Sequence, residues 1–597
     1  MDDTMEPLET LVQRWLDWDQ DPQTREEIKN LHDSHNLPEL EKRLRKRIQF
    51  GTAGLRGRMQ AGFSYMNCLT VIQASQGLGR YLKALPQTLG PLSVVIGRDG
   101  RHNSEKFAIL AANAFRAEGI HVWCFNNPVP TPLVAYAVPF KKAIAGIVIT
   151  ASHNPAQDNG YKIYSANGAQ INSPIDAHIR DFISHNLEPW TGAWDSSDSH
   201  YSCTDAFKEL QKAYCDDVCA FVASTADLSA SPGRFVYTPL HGVGYSMMSE
   251  LCEVLSIQGM TVVSEQRDPD PDFPTIRFPN PEEAGALDLA MKTADDLKID
   301  IVIANDPDAD RFAVAEKVGE TWFKFTGDQV GVLLASHILD QWKHQEQEKP
   351  IAMLCTAVSS NMLATMAKIE GFHFQETLTG FKWLGNVAKD LESEGYNVPF
   401  AFEEALGYMF CNVSYDKDGL TAAMVFLTAQ AQWRKQGFTP FSRLQHLYQT
   451  YGYHETLNTY FVSPDPSISA TLFDSIRNLP EDKRSCIGGF PVLRWRDATK
   501  GFDTGTPNSV SNLPVDSTSQ MITIWSDKGL RFTLRGSGTE PKVKIYIESC
   551  CPTRGDAVNA VCQVFLAVLV NWIRPFASIM TYAPAVTTSS GYIFNIP

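Results

Sequence analysis

Three aspartates at alternate positions, Asp306, Asp308 and Asp310, follow a short β-rich run and lead into Arg311. Carboxylates at that spacing can converge on one hard cation through oxygen ligands. An EF-hand loop also opens this way, but it needs Gly at its sixth position and Glu at its twelfth. Those positions hold Arg311 and Lys317, so the EF-hand fails. A D-x-D aspartyl-phosphate motif is a second rival; its nucleophile would open a domain, and no domain start is evident here. A solvated acidic turn is a third, and it leaves three clustered charges repelling one another unless a cation holds them.

Three other loops carry chemistry. Thr150-Ala151-Ser152-His153-Asn154-Pro155 directly follows Ile147, Val148 and Ile149, the strand-to-loop position where α/β proteins place reactive groups. Ser152 is a nucleophile candidate, His153 and Asn154 can orient it, and Lys162 reads as part of the same long loop. The short turn alone reads equally well as an Asn-Pro turn with incidental polar residues. Phe402-Glu403-Glu404-Ala405-Leu406-Gly407-Tyr408 sets paired acids at a strand end. They could accept hydrogen bonds from sugar hydroxyls or serve a helix N-terminus. Thr379, Lys382 and Lys417 are nearby partners for a polar ligand. In Arg535-Gly536-Ser537-Gly538-Thr539-Glu540-Pro541, small residues let backbone N–H groups wrap an anion while Arg535 supplies a fork. Lys542 and Lys544 flank that loop, and Arg56, Arg58, Arg98 and Arg101 gather at others. Local positive charge of this kind suits a small phosphorylated substrate.

The elements that position these loops alternate. Leu8, Leu11, Trp15 and Leu16 recur at helical spacing, and the first 50 residues read as helix, with Lys42 to Arg47 as a solvated face. Runs at 92–97, 121–125, 143–150, 233–240, 261–263, 299–305 and 351–356 read as strands separated by helices. Repeated β-α-β units predict parallel sheets flanked by helices. After about residue 455 the strands look antiparallel and one long helix closes the segment. Boundaries are expected near 200, 320 and 455, giving domains 1–200, 201–320, 321–455 and 456–575, with 576–597 a loose tail.

Composition bounds the function. With 44% hydrophobic and 11% aromatic residues, the chain can fill several cores and is not a disordered one. A net charge of −16 repels nucleic acid and anionic membranes. The acidic start M-D-D-T-M-E-P is unlike a secretory or mitochondrial leader. The longest apolar stretch, Val564 to Val570, is far short of the ~20 residues of a spanning helix. Twelve cysteines without C-x-x-C pairs fit a reduced compartment. A cytoplasmic protein is expected.

Together the strings T-A-S-H-N-P, D-P-D-A-D-R, E-E-A-L-G and R-G-S-G-T-E-P resemble the α-D-phosphohexomutase superfamily, in order and over nearly the whole chain. F-G-T-A-G-L-R-G and F-E-E-A-L-G-Y-M look like its eukaryotic phosphoglucomutase/phosphopentomutase branch. The resemblance implies an α/β fold of four domains around a central cleft: three related mixed α/β domains and a mobile C-terminal α+β phosphate-binding domain. It implies a phosphoserine at Ser152 and Mg²⁺ held by Asp306, Asp308, Asp310 and a phosphoryl oxygen on Ser152. His153 and Lys162 would handle protons, and Arg56 and Arg311 would contact the transferring phosphoryl region. Thr379, Glu403 and Lys417 would hold the sugar; Arg535, Ser537, Gly538 and Thr539 would grip the distal phosphate. The implied reaction interconverts sugar 1-phosphates with 5- or 6-phosphates through a sugar bisphosphate, with glucose 1,6-bisphosphate or a related compound as activator. A glucose 1,6-bisphosphate synthase, a metal-dependent sugar phosphatase and a catalytically silent homologue are the alternatives. A monomer is expected, acting on small sugar phosphates. One departure is Ala405, where hexose-specific enzymes carry serine. The missing hydroxyl, worth ~0.5–1.5 kcal/mol, makes pentose phosphates credible substrates.

Overall fold

The computed structural model describes residues 6–51, 54–86, 92–195, 204–225, 230–344, 349–463, 466–487, 489–517, 519–527, 529–536, 542–576, 580 and 585–595. The chain divides into two compact units. One comprises residues 1–327, 336–349 and 380–437; the other comprises 328–335, 350–379 and 438–597.

The first unit opens with helices Leu8–Trp18, Pro22–Asp33 and Leu37–Leu44, the last two capped by the side chains of Asp21 and Asn36. Leu11, Trp15, Ile28, Leu40 and Phe63 close a small core of their own. The basic run, expected as a solvated face, is partly buried: Arg43 lies inside, paired with Glu39 of its own helix and Glu27 of the preceding one, while Arg45 pairs with Glu41.

A six-stranded sheet follows, built from β1 (Leu55–Arg58), β2 (Ser93–Arg98), β3 (His121–Cys124), β4 (Ala145–Ile149), β5 (Asp158–Ser165) and β6 (Thr204–Asp205). Its order is β1-β5-β4-β2-β3-β6. The expected parallel pairing holds for β4, β2, β3 and β6, but β5 runs antiparallel to β4 and β1 antiparallel to β5. The connection from β4 to β5 is too short for a crossover, so only a hairpin can form. Lys162, expected in a loop, therefore lies on β5. Tyr161 and Ile163 enter the hydrophobic core, so Lys162 between them projects from the other face. The helix Thr131–Phe140 lies close over β2 and β4. A Cβ on Gly97 or Gly146 would come 2.4 Å from Val134 or Val138.

The second sheet repeats the plan. Strands β7 (Phe235–Thr238), β8 (Met260–Val262), β9 (Ile301–Ala304), β10 (Ala313–Val318) and β11 (Thr321–Lys324) take the order β11-β10-β9-β7-β8. β7, β8 and β9 are parallel, and β10 turns back antiparallel to β9. In the same unit the strand Asn397–Glu403 turns back into Gly407–Met409. Three of the candidate loops thus occupy equivalent places, each a tight turn between antiparallel strands.

In the second unit, strands Ile351–Thr356 and His373–Thr377 pair in parallel around the helix Met362–Glu370. The C-terminal sheet is antiparallel, in the order Tyr453–Val462, Lys542–Cys551, Arg531–Gly536, Met521–Ser526, Phe490–Asp497 and Cys486–Ile487, with Phe502–Asp503 beside Phe490–Asp497. The apolar stretch at Val564–Val570 is the middle of a longer helical run, Arg554–Phe576, which is long and apolar enough to cross a membrane. Here it is a core helix: Val561, Val564, Phe565, Val568 and Trp572 pack in the domain's hydrophobic cluster. Residues 585–595, expected as part of a loose tail, form a hairpin. It docks on Tyr453–Val462 through Ser589 and Thr456, which exchange hydrogen bonds of 2.8 and 3.0 Å. Among the described residues ten cysteines are free thiols, whereas Cys124 is disulfide-bonded, against the expectation of a reduced compartment.

Candidate active site

β4 delivers Ser152 into a turn where its φ is +53°. That left-handed backbone costs a non-glycine residue roughly 1–3 kcal/mol, so the surroundings must hold it. Arg101 does so. Its terminal nitrogens donate to the carbonyls of Ser152 (2.5 Å), Asn154 (2.6 Å), Pro155 (2.8 Å) and Asp158 (3.2 Å). Its Nε stands 3.1 Å from the equally buried Asp99 carboxylate. Arg101 is thus committed to the loop rather than free for phosphate, and Arg98 is engaged with Glu105 and the Asn126 carbonyl. Of the other gathered arginines, Arg58 is exposed. Arg56 sits half-buried on β1 opposite Gly160 of β5.

The aspartate turn meets this loop. Ser152 Oγ donates to Asp306 Oδ2 at 2.7 Å, and carboxylate oxygens of Asp306, Asp308 and Asp310 lie within 4.8 Å of one another, all buried. Asn305 braces the turn by donating to the Arg311 carbonyl and accepting from the Tyr237 hydroxyl. Lys162 Nζ donates to Asp308 Oδ2 and Asp310 Oδ2, each at 2.7 Å. Lys417 Nζ lies 3.3 Å from Asp310 Oδ2. Arg311 donates its backbone N–H to Asp306 Oδ1 at 3.0 Å, and its side chain stands 3.7 Å from Glu282.

Electrostatics show what this cluster lacks. Burial, reinforced by the charges of Asp308 and Asp310, pushes Asp306 well above the carboxylate range. Burial also opposes ionisation of Asp308, but Lys162 outweighs it and holds that group well below its ordinary value. Lys162 and Lys417 are both raised; burial works against their charge and the neighbouring carboxylates more than offset it. Lys162, Lys417 and Arg311 all bring positive charge to the three carboxylates, yet among the described residues Asp308 Oδ1 and Asp310 Oδ1 are buried with no hydrogen-bond partner. Oxygen-only donors and unpaired acceptors fit a hard divalent cation.

His153 Nδ1 lies 3.3 Å from Ser152 Oγ. Burial, then the charges of Arg311, Arg56 and Lys162, depress its pKa well below the ordinary value, so it is neutral at pH 7. Glu403 ends the strand Asn397–Glu403, and burial with the charges of Glu404 and Asp310 raises it to about 7. Its loop abuts the aspartate turn: Phe312 N–H donates to the Leu406 carbonyl at 3.1 Å, and Arg311 bridges Gly407. Gly407 must stay small, because a Cβ there would come 2.6 Å from both Lys417 Cδ and Phe381 Cε2. Lys417 is set by Asp416, whose Oδ1 accepts from its backbone N–H at 2.8 Å and which Gln170 holds at 2.9 and 3.1 Å.

Ser152, His153, Lys162, Asp306, Asp308, Asp310, Arg311, Glu403 and Lys417 are therefore gathered within the first unit. Thr379 and Arg535 belong to the second. Thr379 is half-buried just after His373–Thr377. Arg535 lies beside Lys544 of the neighbouring strand, and its buried Nε has no hydrogen-bond partner among the described residues. Ser537, Gly538 and Thr539 lie outside the described residues. Sequence reasoning missed Asp99, Gln170, Asp416 and Thr131, whose hydroxyl donates to Asp308 Oδ2 at 2.7 Å. The only signal for them was polar residues at strand ends or beside prolines.

Three domain families match the chain: phosphoglucomutase/phosphomannomutase alpha/beta/alpha domain I at residues 47–189, domain II at 212–319 and domain III at 326–451. A phosphoribomutase of Saccharomyces cerevisiae is 43% identical, covering 95% of this chain and 97% of that protein. A human glucose 1,6-bisphosphate synthase is 39% identical, covering 95% and 94%. Among solved structures, the open form of parafusin, a phosphoglucomutase from Paramecium, shares the fold with a TM-score of 0.66. It is 18% identical and covers 89% of this chain and 97% of that one.

Proposed function

Because the chain belongs to the phosphoglucomutase/phosphomannomutase family of the α-D-phosphohexomutase superfamily, we propose that it is a Mg²⁺-dependent sugar-phosphate mutase preferring pentose phosphates. One observation carries the reading: a serine hydroxyl, itself buried, stands 2.7 Å from Asp306 in a triad of buried aspartates, two of which keep a carboxylate oxygen with no partner among the described residues. Ala405 and the likeness to a phosphoribomutase support the pentose preference.

In this reading Ser152 would carry a phosphoryl group, one oxygen of which would help Asp306, Asp308 and Asp310 hold Mg²⁺. The cation, when bound, neutralises charge on the transferring phosphoryl group. A sugar hydroxyl attacks phosphorus; the new O–P bond forms as the Ser152 O–P bond breaks, and the hydroxyl's proton leaves to a base. The neutral state and 3.3 Å approach of His153 favour it as that acceptor. Lys162, already charged between two carboxylates, suits charge balance and donation to Ser152 Oγ. The resulting sugar bisphosphate reorients and returns its other phosphoryl group to Ser152, so phosphate is conserved. Arg56 and Arg311 would steady the moving group, Thr379, Glu403 and Lys417 the sugar. Arg535, with Ser537, Gly538 and Thr539, would hold the distal phosphate. Its partnerless Nε beside Lys544 supports that role.

We read the chain as four domains, 1–200, 201–320, 321–455 and 456–575. The matched ranges fall within the first three. A cytoplasmic monomer, with glucose 1,6-bisphosphate or a related compound as activator, completes the proposal. The 39% identity to a glucose 1,6-bisphosphate synthase favours transfer between two sugars as the second reading.

The test is Ser152→Ala assayed with ribose 1-phosphate and glucose 1-phosphate beside intact-mass analysis. Wild type should carry a phosphoryl adduct and isomerise the pentose phosphate faster, without releasing inorganic phosphate. The variant should lose adduct and turnover together. Turnover in the variant would end the assignment, and steady phosphate release by wild type would make it a phosphatase.

A further inference from the structure

Thr131 touches the metal loop at two points. Its hydroxyl donates to Asp308 Oδ2 at 2.7 Å, and its backbone N–H donates to the Asp308 carbonyl at 2.9 Å. Both residues are fully buried. Thr131 is the first residue of the helix Thr131–Phe140, between Pro130 and Pro132, whose rings fix the local φ angles. Val129 N–H binds the Arg98 carbonyl at 2.8 Å, and Gly97 and Gly146 seat the helix closely on β2 and β4. The donor to Asp308 is thus mounted on rigid backbone of the first sheet's layer, whereas Asp308 belongs to a turn of the second sheet. With Lys162, Thr131 occupies Oδ2 and leaves Oδ1 as the free, unpartnered oxygen.

We propose that Thr131 is a positioning residue for the divalent metal: it fixes the rotation of the Asp308 carboxylate so that Oδ1 is presented to the cation. This rests on the reading of the aspartates as a metal site. A hydrogen bond from outside the ligand set sets a ligand's orientation, and losing one weakens metal affinity typically 10–100-fold.

The experiment titrates Mn²⁺ into metal-stripped, dephosphorylated full-length protein, followed by electron paramagnetic resonance of free Mn²⁺. Thr131→Val keeps the shape and the backbone bond but deletes the hydroxyl, so the Mn²⁺ dissociation constant should rise about 10–100-fold. Thr131→Ser, which restores the donor, should return it to within a few-fold of wild type, a rescue that loss of packing does not predict. Wild-type affinity in Thr131→Val overturns the proposal. So does weakened binding that Thr131→Ser shares equally. Should Thr131→Val fail to fold, Thr131→Cys, with a weaker donor of similar size, replaces it; an intermediate loss supports the proposal and wild-type affinity overturns it. Absence of Mn²⁺ binding by wild type would instead remove the metal reading itself.

Discussion

Each unit buries acidic side chains, and the aspartate triad of the first and Glu548 of the second differ in what they leave unpaired. In the second unit Glu548 is saturated. Its Oε1 accepts from Ser360 Oγ (2.5 Å), Asn361 N–H (3.0 Å) and His454 Nδ1 (3.1 Å). Its Oε2 accepts from Asn361 N–H (2.8 Å) and Arg531 (3.1 Å). Burial opposes its charge, yet these donors hold its pKa down at about 2. In the first unit the aspartates keep two orphaned oxygens, and Asp306 is pushed far up. A buried carboxylate whose lone pairs are filled by protein cements the fold. One whose lone pairs stay empty bears a cost of desolvation that only a ligand can offset. Arg101 and Arg535 extend the contrast. The first gives its terminal nitrogens to four backbone carbonyls, while the second keeps a buried, unpaired Nε.

The largest expected effect separates the clusters outright. Asp308→Asn should reduce turnover by at least about 100-fold and weaken Mn²⁺ binding, and it should also lower the melting temperature, since it strips the buried Lys162 of a partner carboxylate. Glu548→Gln should spare the metal, costing about 3 kcal/mol of stability with Mn²⁺ affinity unchanged. Calorimetry and Mn²⁺ titration of both variants check this; equal effects in the two assays would erase the distinction. Next is Arg101→Lys, which cannot serve four carbonyls at once. We expect kcat to drop about 100-fold through misplacement of Ser152, with KM nearly constant. Steady-state kinetics read the split, and a rise in KM alone would return Arg101 to phosphate binding.

Arg535→Ala should raise KM for the sugar phosphate about 10–100-fold while phosphoserine still forms on Ser152, because a charge-assisted contact is worth ~1.5–3 kcal/mol. An unchanged KM would mean the distal phosphate binds elsewhere. The smallest effect is on pH dependence. Burial lowers the His454 pKa, but hydrogen bonds to Cys550 and Glu548 win and raise it from 6.5 to about 9. A raised folded pKa stabilises fully below the unfolded value, and that contribution fades as pH climbs from 6.5 to about 9. For Glu548 the folded pKa is depressed, so its contribution is present above 4.5 and fades as pH falls towards about 2. The second unit should therefore melt highest between about pH 4.5 and 6.5. In His454→Gln the alkaline decline should flatten; a decline identical to wild type would free His454 from the network.

Much of the site was legible in the chain itself. Turn residues, alternating acids and a serine beside His and Asn are short-range patterns, and each loop's ligand preference follows from the groups it contains. That is why Ser152, the three aspartates, Glu403 and Lys417 were nameable at sight. The chain's periodicity likewise marked the N-terminal helices and the alternating strands. Tertiary structure decided the rest, because it concerns which distant groups meet. Lys162 proved to be a strand residue through pairing of β5 with β4, which local propensity does not encode. Arg101 looked like a phosphate ligand until four carbonyls turned towards it. Thr131 is 177 residues from Asp308, and no spacing rule links them. The sequence by itself determined which chemistry the chain carries; long-range packing alone determined which oxygens are filled and which are left for a metal, since burial and pairing exist only once the sheets have closed.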